Sequence, residues 1–146
     1  MRQESESGPM NRPVYALSLK QPWAALLVSG RKTIEIRSWA TRVRGRILIH
    51  AARVPDRRPE ALALVDEELR TLAAFGGGAI GYATLTGCII YRTVAAFKAD
   101  RAKHLNDPEW FASVRYGFTF ADPMVVPFRP LKGNVRFFTV PDSEGV

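Results

Sequence analysis

The stretch that decides the fold runs from Ser18 to Trp39 and reads SLKQPWAALLVSGRKTIEIRSW. Its first half predicts a short amphipathic helix that begins at Pro22 and ends at Gly30. Proline fits the first helical position because its missing N–H would be unpaired there, and glycine fits the residue past the end because it readily adopts left-handed backbone. The apolar side chains at i, i+3 and i+4, counted from Trp23, would form the buried face of this helix.

The second half of the stretch predicts a short strand with a charged face. From Thr33 to Arg37 the pattern has period two. Ile34 and Ile36 are expected to point to one side, and Thr33, Glu35 and Arg37 to the other. A hydroxyl, an acid and a base would therefore share one strand face directly after the helix.

Outward from this stretch, the remaining chain alternates between strand and helix patterns. Strands are predicted over residues 14–19, 46–52, 79–93, 116–121, 125–128 and 135–140, and helices over 59–74 and within 95–113. Gly81 and Gly87 inside a long strand predict bulges that bend the sheet, and Pro127 and Pro130 indicate an edge. Six or seven strands interleaved with two or three helices, without a regular βαβ rhythm, predict an α+β fold built on a small mixed β-barrel.

The chain of 146 residues is expected to form a flexible N-terminal leader, residues 1–12, and a single domain, residues 13–146. It has no internal repeat, no apolar run of membrane-spanning length and no signal-peptide core. Its single cysteine, Cys88, cannot form an internal disulfide, which fits a reducing compartment. We therefore expect a cytoplasmic protein, without membrane association and monomeric.

Metal and cofactor sites are not expected. The two histidines, His50 and His104, and Cys88 lie far apart without ligand spacing. The glycines at 76–78 lack the residues of a phosphate-binding fingerprint and are interpreted as a connector. His50, inside an apolar strand, is predicted to be a core residue, and Cys88 a small buried apolar one.

The positive charge of the chain is concentrated in one segment. Residues 31–58 contain nine Lys and Arg residues and two acids, so they carry the whole formal net charge of +7. A localised positive field attracts polyanions, because neutralising phosphates releases condensed counterions. A solvated Arg-rich surface is the alternative interpretation of the same pattern.

Four residues of the opening stretch could hold a nucleic acid within this field. Lys32 and Arg37 would contact phosphate, and Glu35 would orient them or accept a hydrogen bond from a base amino group. Trp39 could stack on a base beside the cationic groove, or it could cover the core. The competing interpretation of the charged strand is an exposed surface with a cross-strand ion pair.

These residues also match a known signature. Gly30, Lys32, Glu35 and Arg37 fit the Gly-x-Lys-x-x-Glu-x-Arg pattern of ASCH domains, and the chain resembles that family over roughly residues 14–140. The resemblance implies a PUA-like β-barrel with flanking helices, a cleft lined by the signature, and binding of RNA or another nucleic acid. The ligand would be single-stranded RNA or a modified nucleoside.

The candidate binding residues combine the charge pattern with this resemblance. They are Lys20, Gln21, Trp23, Lys32, Glu35, Arg37, Trp39, Arg42, Arg44 and Lys132.

Two other functions remain open. Some ASCH proteins look like hydrolases: one branch cleaves the acetyl amide of acetylated cytidine with a Lys, a Thr and a Glu, and another ASCH protein is a ribonuclease. Lys32 matches the Lys of the first branch, but its Thr aligns with Glu35, and Thr33 lies two positions earlier. Lys32 and Glu35 would then act as acid and base. The third candidate is a protein-interaction module whose basic face meets an acidic partner.

Overall fold

A computed structural model describes residues 13–141, and the predicted leader lies outside them. The strands are β1 (Pro13–Leu19), β2 (Ile34–Arg37), β3 (Gly45–Ala51), β4 (Gly78–Tyr91), β5 (Arg115–Pro130) and β6 (Phe138–Pro141). The helices are α1 (Trp23–Val28), α2 (Pro59–Leu62), α3 (Arg70–Ala73), α4 (Val94–Ala99) and α5 (Arg101–His104), with a 3-10 turn at Pro108–Trp110. The predicted α+β fold is confirmed, with the helical residues divided among five short helices rather than two or three.

The six strands form one curled sheet in the order β2-β5-β4-β3-β1-β6, a half-barrel. Every neighbouring pair is antiparallel except β1 and β3, which run parallel. The carboxyl ends of β1 and β3 therefore lie side by side, and the Ala52 amide donates to the Leu19 carbonyl at 2.8 Å. The loops that follow these two strands leave the sheet at the same edge.

The predicted bulges are confirmed in β4. Its pairing with β5 shifts register next to Gly81 and next to Gly87. A Cβ at Gly81 would lie 2.7 Å from Val28 Cγ1 of α1, and closer still to the Met124 carbonyl oxygen. Glycine at this position therefore permits the close packing of α1 onto the bent strand.

Helix α1 is buried on all sides, so the prediction of an amphipathic helix was wrong. All six of its residues are buried, because the helix packs against β3, β4 and β5 and also against α3. Pro22 caps the helix rather than occupying its first turn, and the Gln21–Pro22 peptide bond is cis. Gly30, with φ of +85°, ends the turn after the helix as predicted.

Two other elements differ from the sequence prediction. The helix expected over 59–74 is split into α2 and α3, because Asp66 Oδ1 accepts from the Leu69 amide at 3.0 Å and forms a turn between them. The two strands expected over 116–128 are one strand, β5, which continues its pairing with β4 past Asp122, a residue with φ of +49°. The last strand, β6, is shorter than the predicted 135–140 and begins at Phe138.

The position of the two prolines at an edge is confirmed. Pairing of β2 with β5 covers only residues 116–119 of β5. Along the rest of β5, no strand of residues 13–141 pairs with the side facing away from β4. Pro127 and Pro130 lie in that part, where the strand is paired on one side only and proline is tolerated.

Three aromatic rings bridge the gap between the two sheet edges, β2 and β6. Trp39 contacts Phe118 and Phe137 edge to face, with centroid distances of 5.2 and 5.7 Å. Phe118 and Phe137 stack at 6.0 Å. We call these three residues the aromatic seam, because among the described strands no backbone pairing joins β2 to β6.

The structure also places the two residues predicted to be buried in the core. His50 is buried, and its Nδ1 and Nε2 lie 2.9 Å from Ser18 Oγ and 2.6 Å from the Leu131 carbonyl. Its predicted core position is confirmed. Cys88 packs against the core but is only half-buried, so its predicted full burial is wrong. Among residues 13–141, no helix has the length and apolarity needed to cross a membrane.

Candidate nucleic-acid interface

A cleft of about 520 Å³ opens where β1 and β3 end, beside β2. Its wall combines charged, aromatic and amide side chains. It is lined by Ser18, Lys20, Trp23, Glu35, Ile36, Arg37, Ala52, Asp56, Arg58, Asn106, Asn134 and Val135. A cavity of this size falls within the range of small-molecule and cofactor sites.

Lys32 lies beneath the cleft and is fully buried. Its Nζ donates to the carbonyls of Ile34 and His104 at 2.7 and 2.8 Å and lies 3.3 Å from Glu35 Oε1. The ammonium also lies 5.0 Å from the Trp23 ring centroid. Burial lowers the pKa of Lys32, and the Glu35 carboxylate opposes this shift. The three donors of the ammonium are therefore engaged inside the domain.

Glu35 connects Lys32 to Arg37. Its Oε2 accepts from Arg37 Nε at 2.9 Å, and Arg37 Nη2 donates to the Ser18 carbonyl at 2.8 Å. The three charged signature residues thus form one chain of ion pairs that runs from the buried Lys32 to the end of β1. Glu35 and Arg37 also line the cleft, so this chain forms part of its floor.

The opposite wall is built on Asp56. Its carboxylate accepts from Trp23 Nε1 at 2.9 Å and from the Arg58 guanidinium at 2.7 to 3.2 Å. The Arg58 guanidinium also lies 3.5 Å from the centroid of the Trp110 ring. Hydrogen bonds from Arg58 lower the pKa of Asp56 to about 2. This carboxylate therefore stays ionised and fixes the indole of Trp23 in place.

Lys20 and Asn106 both carry polar groups that remain available to a ligand in the cleft. Lys20 is exposed, and its ammonium has no hydrogen-bond or ion-pair partner within residues 13–141. Asn106 donates to the His104 carbonyl at 2.9 Å, but its Oδ1 accepts nothing from the described residues. The cleft thus offers a free cation and a free amide oxygen beside an aromatic wall.

The structure brings several predicted residues together. Lys20, Trp23, Glu35 and Arg37 line the cleft, and Lys132 lines a neighbouring cavity of about 430 Å³. Lys32 supports the cleft from below. Ile36, which was predicted to point away from the charged residues of β2, also borders the cleft.

Four other predicted residues lie elsewhere. Gln21 is buried and bonds to Ala25, Leu72 and Phe75, so it connects α1 to α3 and to the residues just after α3. Trp39 belongs to the aromatic seam, with the Arg136 guanidinium 4.7 Å from its ring centroid. Arg42 and Arg44 are exposed outside the cleft lining, and Arg44 donates to the carbonyls of Thr41 and Val43. Their role as ligand contacts stays a prediction.

The basic segment 31–58 is partly neutralised inside the domain. Besides the pairs already described, Arg31 bonds to Asp66 and Glu68, both at 2.9 Å. These acids lie outside the segment in sequence, so the charge count could not anticipate the pairing. The positive charge that remains available to a ligand is therefore smaller than the formal charge of the segment.

Sequence reasoning missed Ser18, Asp56, Arg58, Asn106 and Asn134 in the cleft lining. Asp56 and Arg58 entered only the charge count. They reach Trp23 because the parallel pairing of β1 and β3 brings two distant loops together. Pro55 marks a loop at this point of the sequence, but no local pattern identifies Trp23 as the neighbour of that loop.

The hydrolytic interpretation assigns Lys32 and Glu35 as acid and base, with Thr33 close to them in the sequence. The Lys32 ammonium is enclosed, and Thr33 lines a separate cavity of about 240 Å³ with Lys32, away from the cleft that contains Glu35. Within residues 13–141, no group of three or more His, Cys, Asp or Glu residues could hold a metal ion.

Comparison with known proteins identifies the family. The sequence matches the family model of the ASCH domain over residues 17–121, which include the signature strand and most of the cleft. The chain belongs to the ASCH domain family. This is a PUA-like domain family associated with RNA binding.

Two curated relatives contain a similar ASCH region. "Activating signal cointegrator 1" of Homo sapiens is 30% identical over 135 residues, which are 85% of this chain and 22% of that protein. The protein of the same name from Mus musculus is 57% identical over 37 residues, 25% of this chain and 6% of its own length. The chain therefore spans about a fifth of the length of the human relative.

Solved ASCH structures share the fold. The crystal structure of ASCH from Zymomonas mobilis superposes with a TM-score of 0.64 at 16% identity, covering 90% of each chain. A mutant of the same protein gives a TM-score of 0.62 at 18% identity and covers 92% of this chain and 94% of its own. The half-barrel with short helices is thus an ASCH architecture.

Proposed function

We propose that this ASCH domain binds single-stranded RNA or a modified nucleoside by seating a base in the 520 Å³ cleft. The proposal is carried by the Lys20 ammonium, which has no partner among residues 13–141. It lies in a cleft that Trp23 lines and that the Lys32–Glu35–Arg37 ion pairs close from below. An aromatic wall beside a cation suits a base attached to a charged backbone.

The lining groups have complementary roles in this proposal. Lys20 attracts the backbone phosphate, because it is the cation of the lining with no internal partner in the described part of the chain. Glu35 and the free Oδ1 of Asn106 accept hydrogen bonds from base amino or imino groups. Trp23, held by Asp56, supplies a fixed apolar wall, so little side-chain freedom is lost on binding.

The test is the binding of fluorescein-labelled single-stranded RNA, followed by anisotropy over a salt series. We expect Lys20→Gln to weaken binding several-fold and to reduce the magnitude of the log–log salt slope by about 0.7, the value for one phosphate contact on a single strand. The matched control is Lys98→Gln, an exposed lysine on α4 outside the cleft. Binding that Lys20→Gln and Lys98→Gln change equally would refute the site.

A protein partner is the second candidate, favoured by exposed apolar side chains at the far end of β4. Ile89, Ile90, Val94 and Val114 are each at least 37% exposed, and the pairing of β4 with β5 brings them to one end of the sheet. The human relative is named a cointegrator. Capture of a partner that survives RNase treatment and is lost in Ile90→Ser would favour this candidate over RNA.

A further inference from the structure

The cleft continues into the neighbouring cavity of about 430 Å³. Four residues, Ser18, Ala52, Asn134 and Val135, line both spaces. We call the first space the cleft and the second the side cavity. The two spaces therefore adjoin, and a ligand in the cleft lies next to the side cavity.

The two spaces differ in charge. The cleft contains two carboxylates, Glu35 and Asp56, among its cations. The lining of the side cavity includes Arg53 and Lys132 and no acidic residue. Carboxylates repel phosphate but accept hydrogen bonds from base donors, so a base suits the part of the cleft beside Glu35 and Asp56. The exposed Lys20 suits the phosphate of an adjoining nucleotide, and the side cavity suits the phosphate attached to the seated nucleoside.

The cations of the side cavity have no internal partners. Arg53 and Lys132 are exposed, and neither forms an ion pair or a side-chain hydrogen bond with another described residue. The consecutive backbone amides of residues 132–134 also donate no hydrogen bond within residues 13–141. Two free cations beside free N–H groups are a suitable environment for a phosphate dianion or diester.

The loop that carries Lys132 is held in place by His50. The His50 Nε2 lies 2.6 Å from the Leu131 carbonyl, and the Leu131 amide donates to the Gly77 carbonyl at 3.1 Å. A carbonyl oxygen is only an acceptor, so Nε2 carries the proton and Nδ1 accepts from Ser18 Oγ. Gly133 lies against the His50 ring, where a Cβ would come within 2.6 Å of Cε1. The side cavity is therefore preorganised.

We infer that the side cavity is a phosphate subsite and that the ligand class is a nucleoside carrying a phosphate, with the base in the cleft and the phosphate between Arg53 and Lys132. This inference rests on the proposed function. The phosphate could belong to a free nucleotide or to the backbone of an RNA strand, and the chemistry of recognition is the same.

The test compares ligands with and without a phosphate by calorimetric titration. The ligands are the four ribonucleosides, their 3′- and 5′-monophosphates, and dinucleoside monophosphates. The key variant is Arg53→Gln/Lys132→Gln, and the charge-matched control is Arg92→Gln/Lys98→Gln, which removes one Arg and one Lys outside both cavities. All four residues are exposed, so we expect both variants to fold.

We expect the phosphorylated ligands to bind at least tenfold more tightly than the nucleosides, and Arg53→Gln/Lys132→Gln to abolish most of this difference while changing nucleoside affinity less than twofold. Gly133→Ala, which moves the loop against His50, should reproduce the selective loss. The inference is overturned if phosphate adds no affinity, or if the key and control variants weaken phosphorylated ligands equally.

Other outcomes separate this inference from the proposed function. If single-stranded RNA binds in a Lys20-dependent manner but is indifferent to Arg53→Gln/Lys132→Gln, only the phosphate subsite is refuted. If neither RNA nor any nucleoside or nucleotide binds, both are refuted. Tighter binding of a monophosphate than of a dinucleotide supports a free nucleotide as the source, and the reverse order supports an RNA backbone.

Discussion

At the scale of single residues, the signature Lys32 acts as a structural group. Its ammonium satisfies two carbonyls and a carboxylate in the interior. We expect Lys32→Met to lower the free energy of unfolding by about 3 kcal/mol, because it leaves Glu35 without one of its two cations and two carbonyls unpaired. Urea denaturation measures this change.

Two further variants test whether the effect of Lys32→Met comes from its buried ion pair. Lys98→Met removes an exposed lysine and should change stability by less than about 0.5 kcal/mol. The double variant Lys32→Met/Glu35→Gln should lose less than the sum of its two single variants, because the residues share one ion pair. A stability of Lys32→Met equal to that of the unmodified protein would show that the ammonium is not enclosed.

Asp56 gives the domain a defined response to acid. Its folded pKa of about 2 is below the ordinary value of 3.8. The carboxylate therefore contributes stability that is fully present above pH 3.8 and is lost as the pH falls through about 2. From the shift, we expect Asp56→Asn to be less stable by about 2 kcal/mol at pH 6.

The pH dependence distinguishes this contribution from a loss of packing. The difference between Asp56→Asn and the unmodified protein should shrink steadily when urea titrations are repeated from pH 4 down to pH 2. A difference that stays constant over this range would assign the effect of the substitution to shape rather than to ionisation of Asp56.

At the scale of elements, the fit between α1 and β4 depends on Gly81. A Cβ there would meet a backbone oxygen and the side chain of Val28, neither of which can move without disturbing an element. We expect Gly81→Ala to lower the unfolding free energy by about 2 to 3 kcal/mol, the usual cost of overpacking. Thermal and urea unfolding measure the loss.

Gly87 offers a matched control on the same strand. It also lies at a bulge, but its added Cβ would meet only the Thr119 hydroxyl, at 2.9 Å. Because a side chain can rotate away, Gly87→Ala should cost no more than about 1 kcal/mol. Equal losses in the two variants would contradict the role of Gly81 in packing.

The sequence predicted correctly those features of the helices and strands that depend on a local signal. The turn at Gly30, the bulges at Gly81 and Gly87 and the edge prolines each depend on the backbone preferences of the residue itself. The full burial of α1 was available from composition, because Trp23–Val28 contains no polar residue, but the element that covers its outer side, α3, could not be identified from the sequence.

The candidate site was likewise predicted only where the sequence signal was local. The signature located Glu35 and Arg37, but the partner that encloses Lys32 is the carbonyl of His104, 72 positions later. The sequence alone allows Trp39 either to contact a ligand or to pack on the core. The contact with Phe137, which is distant in sequence, shows that it packs inside the domain. Contacts between distant segments are set by topology, which residue spacing does not encode.

At the scale of the whole molecule, the aromatic seam holds the half-barrel together where backbone pairing is missing. We expect Trp39→Ala to lower the unfolding free energy by about 2 kcal/mol, less than for a fully buried tryptophan because Trp39 is half-buried. Amide hydrogen exchange should accelerate in β6, which the seam covers, and remain slow in β3 and the paired part of β4.

This experiment also tests the role of Trp39 in binding. If Trp39 only packs in the aromatic seam, the Trp39→Phe protein should retain most of its stability, and its RNA affinity should change less than twofold. A large loss of affinity in a Trp39→Phe protein of near-normal stability would instead assign the ring to base stacking.

The parallel pairing of β1 with β3 has a consequence for redesign. The ladder uses residues 15–19 and 47–51, whereas Lys20, Arg53, Asp56 and Arg58 lie in the two loops beyond it. The Asp56 amide donates to the Gln21 carbonyl at 2.8 Å, so the loops are fastened to each other as well as to the sheet. The two loops therefore form one structural unit, and we expect that exchanging both between ASCH domains would change the ligand contacts of Lys20, Arg53, Asp56 and Arg58 together while the strand framework stays intact.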